Sequence, residues 1–242
     1  MRFLVLSDIH ANLTAFETVL EAAQGQYDFL WCLGDVVGYG PSPNECVELL
    51  REQEHLALSG NHDWAALGRL DLDTFNPDAR AAAEWTQQQL SDDSRAYLEQ
   101  LESRTEQNGF TLAHASPRQP VWEYILDTET AAANFGQFES RQCLVGHTHV
   151  PVVYEQLPDG DVQALAPDYE QAIQLGERRL IVNPGSVGQP RDADPRAAYA
   201  LLDMESMSWR HYRVSYDIEQ TQERMLGAGL PIRLIARLSM GW

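Results

Sequence analysis

The chain has 242 residues, seventeen basic and thirty-six acidic, giving a formal net charge of −19 and a pI near 4.6. That balance repels nucleic-acid backbones and anionic membrane surfaces, so stable binding to either is not expected. Every basic residue is Arg, and without Lys there is neither a Walker P-loop nor Schiff-base chemistry.

Phe3–Leu6 is predicted as a first strand, turning polar at Ser7-Asp8 too early for a signal-peptide core. Asn12 suits the N-cap of a helix whose stripe is Leu13, Phe16, Leu20 and Ala23. Phe29–Leu33 is a second strand. Ser42-Pro43-Asn44-Glu45 has the form of a capping box with Pro at N1, opening a helix to about Gln53, and His55–Leu58 is a third strand. From Trp64 to Gln107 the pattern is helical, with one start at Asn76-Pro77 running to Leu90 and a second helix from about Asp92 to Leu101. Strands follow at Phe110–Ala113, Gln142–Val145, Val152–Tyr154, Arg179–Val182, Ala198–Leu202 and Trp209–Val214. Pro158-Asp159-Gly160 marks 152–165 as a hairpin candidate. Helical character from about Asp217 to Leu226 is broken by Gly227, Gly229 and Pro231.

Strands alternating with helices indicate an α/β fold. One domain over residues 1–242 is expected, with the helical insertion at about 64–107 either packed on the sheet as a layer or serving as a partial lid. Cys32, Cys46 and Cys143 form no even framework and no CxxC pair, and read as inert thiols. No window approaches the ~20 apolar residues of a membrane span. A cytoplasmic protein is the expectation.

Chemistry-bearing residues gather just past strand ends, where open α/β sheets place their ligands. Asp8 and His10 follow the first strand, Asp35 the second, Asn61 and His62 the third, His114 the fourth, and His147 with His149 the fifth. Carboxylate, imidazole and amide oxygen together suit two divalent cations of the Mn, Fe, Zn, Co or Ni kind better than Ca. Paired cations can hold a phosphate and activate water for in-line attack.

Asp8-Ile9-His10-Ala11-Asn12, Gly34-Asp35-Val36-Val37-Gly38, Gly60-Asn61-His62-Asp63 and Gly146-His147-Thr148-His149, in that order, resemble the signature of calcineurin-like metallophosphoesterases. His114-Ala115-Ser116-Pro117 resembles the family's extra histidine block, and Asn183-Pro184-Gly185-Ser186 a motif of its small prokaryotic members. The resemblance implies a four-layer α/β/β/α sandwich of two mixed sheets flanked by helices. It implies two metal ions, Mn foremost: Asp8, His10, Asp35 and His149 would hold the first, and Asp35 (bridging), Asn61, His114 and His147 the second. His62 would hold no metal and would donate to the leaving group. The GDxxxRG pattern of the family's protein phosphatases and symmetrical diadenosine tetraphosphate hydrolases lacks its Arg here, where Gly34-Asp35-Val36-Val37-Gly38-Tyr39-Gly40 stands. The phosphodiesterase-like branch is the closer match.

Several residues carry two readings. Asn12 caps the first helix or reaches the phosphate, and Asp63 orients His62 or caps the next helix. Arg118, Arg191 and Arg196 bind substrate phosphate or form surface ion pairs. Trp64, Trp122 and Tyr124 stack on a base or pack in the core. His55 and His211 fall outside every motif and read as ordinary strand residues. The expected function is hydrolysis of small phosphate esters, most of all diesters, by a metal-activated hydroxide. The alternatives are a phosphomonoesterase or phosphoprotein phosphatase and, in another class, a non-catalytic interaction module. The retromer subunit that keeps this fold without turnover lacks the histidine after Gly-Asn; His62 is present here.

Overall fold

Alternate residues of a strand point to opposite faces, and the first strand, β1 (Arg2–Leu6), separates its apolar residues accordingly. Phe3 and Val5 enter a core between two sheets, whereas Leu4 and Leu6 enter a second core under helices. The same division recurs in β2 (Phe29–Cys32), with Trp31 inward and Leu30 and Cys32 outward. Such strands, buried on both faces, read as continuous apolar runs.

The computed structural model describes residues 1–242. Helices α1 (Leu13–Ala22) and α2 (Pro43–Arg51) cover the outer face of the first sheet. Next come β3 (His55–Ala57), α3 (Asn61–Ala66), α4 (Pro77–Gln89), α5 (Asp92–Leu98), β4 (Arg104–Gln107) and β5 (Phe110–Ala113). The chain continues through α6 (Thr128–Phe135), β6 (Gln142–Leu144), β7 (Val152–Gln156), β8 (Val162–Leu165), β9 (Ile173–Gln174) and β10 (Arg179–Asn183). It closes with β11 (Ala197–Asp203), β12 (Ser208–Val214), α7 (Ile218–Gly227) and α8 (Ile232–Arg237). One sheet has the order β3-β2-β1-β11-β12-β9 and the other β4-β5-β6-β10-β7-β8. Both are mixed: β1, β2 and β3 run parallel, as do β5, β6 and β10, while the remaining pairs are antiparallel. Helix α6 packs its Ala131 and Phe135 on Cys143 and Ile181, covering the second sheet's outer face. The result is a four-layer α/β/β/α sandwich. No helix is long and apolar enough to cross a membrane.

The structure departs from the predicted elements in several places, the short edge strand β9 among them. The helical stretch ends before Gln107, because Asn108 and Gly109, both at positive φ, turn β4 back onto β5 as a hairpin. Ser42 makes no side-chain cap bond, so the capping box is not realised; its backbone N–H instead donates to the Ala11 carbonyl. Helix α6 was not legible from periodicity, yet Asp127 caps it through a 2.7 Å bond from Thr130 N–H. Pro231 stands at the N-cap of α8 and starts a helix where a break was expected.

His211 on β12 donates to the Asn183 carbonyl at 2.8 Å from a buried position. Burial, helped by Arg213, pushes its pKa down to about 4. A folded value below the unfolded value of about 6.5 favours the neutral ring in the native state. The stability this contributes is therefore present above pH 6.5 and is lost as pH falls toward 4, by up to about 3 kcal/mol. Urea unfolding between pH 6.5 and 4.5 should show a shallower decline in His211→Gln than in the parent chain; equal slopes would contradict this.

Candidate active site

The parallel strands β1, β2, β3, β5, β6 and β10 send their C-terminal ends to one edge of the sandwich, and all seven predicted metal ligands follow five of them. Five of these ligands have left-handed backbone: Asp8 (φ 55), His10 (φ 50), Asp35 (φ 53), His147 (φ 66) and His149 (φ 60). Positive φ is uncommon outside glycine and gathers at functional sites. Each turn stops the strand and re-aims the side chain across the edge.

The side chains meet in two buried groups, Asp8–His10–His149 and Asp35–His114–His147, with the ligand atoms in each group within 4.8 Å of one another. Asp35 lies between them. Its Oδ2 is 3.7 Å from His10 Nε2 and 3.4 Å from His114 Nε2, while Oδ1 accepts from the His62 backbone N–H at 2.8 Å. Asp8 is braced in the same way. Its Oδ2 accepts from His147 N–H at 3.0 Å, and Oδ1 faces His149 Nε2 at 3.3 Å. Asn61 Oδ1 approaches His114 Nε2 at 3.3 Å. Two glycines permit this density. A Cβ on Gly60 would lie 2.1 Å from Asp35 Oδ1, and one on Gly38, itself at φ +89, would lie 2.8 Å from the His62 ring.

The donor set fits cations. Nδ1 of His10, His114 and His149 donates to the carbonyls of Val37, Leu33 and Gln189, at 3.3, 2.9 and 2.6 Å. That fixes each tautomer and leaves the Nε2 lone pair pointing inward, the arrangement typical of metal-binding histidines. Two such lone pairs, on His10 and His149, face each other at 3.1 Å, which only a positive charge between them makes favourable. Asp8 Oδ1, Asp35 Oδ2 and His147 Nε2 are buried without hydrogen-bond partners, a costly condition for polar atoms unless something else satisfies them.

The electrostatics agree. Burial opposes ionisation of Asp8 and Asp35, but the neighbouring His149 and His114 respectively hold both carboxyls well below their usual range. Burial would also lower the His114 pKa, yet Asp35 and Asp8 lift it to about 9. The carboxylates demand positive charge here. Burial holds His10 well below its ordinary value and takes His147 down to about 3.

The Asn183-Pro184-Gly185-Ser186 turn stitches the ligand loops of the two sheets. Asn183 Nδ2 donates to the Gly146 carbonyl at 2.8 Å and to Thr148 Oγ1 at 3.0 Å, and Ser186 Oγ donates to the Asp8 carbonyl at 2.9 Å.

His62 stands beside the ligands without joining either group. Its ring is edge-on to His10 at 4.9 Å and to Phe75 at 5.3 Å, and lies 4.1 Å from Tyr39. Nδ1 has no partner. Asp63 does not touch it. That carboxylate accepts from Gly60 N–H at 2.9 Å and Val37 N–H at 3.0 Å, so it caps α3 and ties it to the Asp35 loop.

The four candidate substrate contacts differ in placement. Arg191 is at the rim. Its guanidinium lies 5.7 Å from the Tyr39 ring centroid, one nitrogen donates to Gln189 Oε1 at 2.8 Å, and Nε is buried without a partner. Its charge also helps, after burial, to depress the His62 and His149 pKa values. The structure places Arg118 in an ion pair with Glu123 away from the ligands, just as Arg196 pairs with Asp194. Asn12 is engaged as the cap of α1, accepting from Ala15 N–H at 3.2 Å, while its amide donates to the Gly188 carbonyl at 3.0 Å. Arg118 is thus committed to a carboxylate, and both the oxygen and the nitrogen of the Asn12 amide have protein partners.

Sequence reasoning missed Tyr39, Phe75 and Gln189, which line the approach. Tyr39 had a signal, since it occupies the position of the absent GDxxxRG arginine. Tyr124 lies over His147 at 3.9 Å, and Trp122 meets Phe75 edge-on at 5.7 Å, so these two aromatics stand at the rim rather than in the core.

Residues 1–207 match the calcineurin-like phosphoesterase superfamily domain. The chain belongs to that family, whose members are metal-dependent phosphoesterases. It is 37% identical over 245 residues to uncharacterised protein MJ0912 of Methanocaldococcus jannaschii, covering 98% of this chain and 97% of that one. It is 30% identical over 220 residues to phosphodiesterase YfcE of Escherichia coli K12, covering 86% and 90% respectively. Among solved structures, a metallophosphoesterase from Sphaerobacter thermophilus superposes with a TM-score of 0.91 at 46% identity, over 100% of this chain and 99% of that one.

Proposed function

We propose that this protein is a phosphodiesterase that hydrolyses small phosphate diesters with two metal ions, Mn²⁺ foremost, held by the seven residues above. The observation that carries the reading is the Asp35 carboxylate, with one oxygen turned toward both ligand groups and His62 next to it. A pair of divalent cations supplies the charge that draws in a phosphate and the acidity that makes water a nucleophile near neutral pH. The chain supplies the rest. Arg191 offers a guanidinium at the rim that is not committed to a carboxylate, suited to hold a phosphate oxygen. His62 is placed to donate a hydrogen bond to the departing oxygen. Tyr39, Phe75 and Tyr124 wall the approach to the ligand groups, and Phe75 gives the 64–107 segment its part as a partial lid. The −19 charge is compatible with a small anionic substrate once cations are bound, and with neither nucleic acid nor membrane as a stable partner.

The diester preference is supported by the missing GDxxxRG arginine and by the likeness to a named phosphodiesterase. Purified protein with Mn²⁺ should turn over bis-p-nitrophenyl phosphate faster than any phosphopeptide or symmetrical dinucleoside tetraphosphate. A phosphopeptide rate exceeding the diester rate would overturn the reading.

A further inference from the structure

The second of the two His-containing turns after β6 continues into a groove of a different character. Thr148, between His147 and His149, forms its inner end, and Val150, Pro151 and Val152 lead away from the ligands. Ile125 and Leu126 form the facing wall, with Leu165 of β8 at the far side. The volume is about 300 Å³ and no charged residue lines it. That size lies at the small-molecule end of ligand sites and is lined as such sites usually are, by apolar side chains with one polar group.

The wall is not a sealed piece of core. Leu126 is 63% exposed and Tyr124 45%, and Trp122 on the same loop is 39% exposed. Large apolar groups exposed together beside a polar centre mark a binding surface. Tyr124 joins the two regions, its ring over His147 and its backbone leading directly into Ile125.

The geometry points to a subsite in this groove for a neutral apolar or aryl ester substituent of the substrate, the part that does not leave. The inference rests on the phosphodiesterase reading and deepens it. A phosphodiester held by Arg191 and by the cations that the Asp8 and Asp35 groups would bind has two ester arms. One, the leaving alcohol, must face His62; the other is free to follow Thr148 and Val150 outward. With no charge in the groove to pair, a charged arm would be desolvated at a cost and an apolar arm at a gain. The substrate class is therefore a diester with one hydrophobic arm.

Two diesters with the same leaving group isolate the effect: p-nitrophenyl phenyl phosphate and p-nitrophenyl methyl phosphate, each rate divided by its hydroxide-catalysed rate. The phenyl ester should show a kcat/KM advantage of about 10-fold, the scale of partial aryl burial. Leu126→Ser and Leu165→Ser should bring that advantage to within about twofold while leaving metal content and methyl-ester turnover unchanged. A readout without turnover runs beside it. Phenylphosphonate should bind more tightly than methylphosphonate by calorimetry, and the difference should vanish in Leu126→Ser. Phenylphosphonate preference without turnover of any diester would sustain the subsite and overturn the phosphodiesterase reading. Diester turnover with no phenyl advantage, and no phosphonate preference, would overturn the subsite alone; self-association lost in Leu126→Ser, with no aryl preference, would assign the groove to a second copy and likewise overturn it.

Discussion

Asp35→Asn is expected to lose both metal ions, whereas His149→Ala loses mainly one. The asymmetry follows from geometry. Asp35 Oδ2 faces His10 on one side and His114 on the other, so neutralising this carboxylate weakens both groups. His149 contributes to the Asp8 group only, with its Nδ1 spent on the Gln189 carbonyl. The substituted amide keeps an oxygen able to accept from the His62 backbone N–H, so the loss falls on the metal groups that depend on the carboxylate's charge. Activity should therefore fall by more than the ~10²–10³-fold that loss of a single transition-state donor costs. Elemental analysis after dialysis decides the matter. Two ions retained in Asp35→Asn, or one ion per chain in the parent protein, would refute the shared-carboxylate arrangement.

His62→Ala should do the opposite, keeping its metal and losing activity unevenly. The ring belongs to neither ligand group, and its Nδ1 has no partner within the protein. A positioned donor matters most when the departing oxygen is a strong base, because more charge must be relieved as the P–O bond breaks. Esters of alkyl alcohols or nucleosides should lose the full ~10²–10⁴ typical of acid–base assistance, and p-nitrophenyl esters much less. Asp8→Asn or His147→Ala should depress both substrate types together. The readout is kcat on each ester class alongside metal content. Equal losses for both classes, or metal loss from His62→Ala, would show that His62 has another role.

The candidate ligand positions stood out because each is a polar residue shortly after an apolar strand, and most of those strands are buried on both faces. Phe3/Val5 and Leu4/Leu6 show why the run is unbroken: each pair serves a different core. The rim was far less legible. Arg191 and Tyr39 meet across 152 positions of sequence, and nothing local to Pro190-Arg191 distinguishes it from the surface pair at Arg196. Arg118 stands next to the His114 motif but is claimed by Glu123, five residues on. Asn12 carried two roles on paper, and local hydrogen bonds take both ends of its amide. Hairpin β4–β5 had a local signal, Asn108-Gly109, outweighed by the helical pattern before it.

The left-handed turns bear on any attempt to transplant this centre. An L-residue in that conformation costs about 1–2 kcal/mol, and Asp8, His10, Asp35, His147 and His149 all adopt it. The strain is held by hydrogen bonds from elsewhere, notably Asn183 and Ser186 onto the loops of the two sheets. Copying seven side chains onto the strand ends of another scaffold would thus reproduce the chemistry's inventory without its directions. What must travel is a set of short backbone templates, together with the polar turn after β10 that keeps two of them from relaxing.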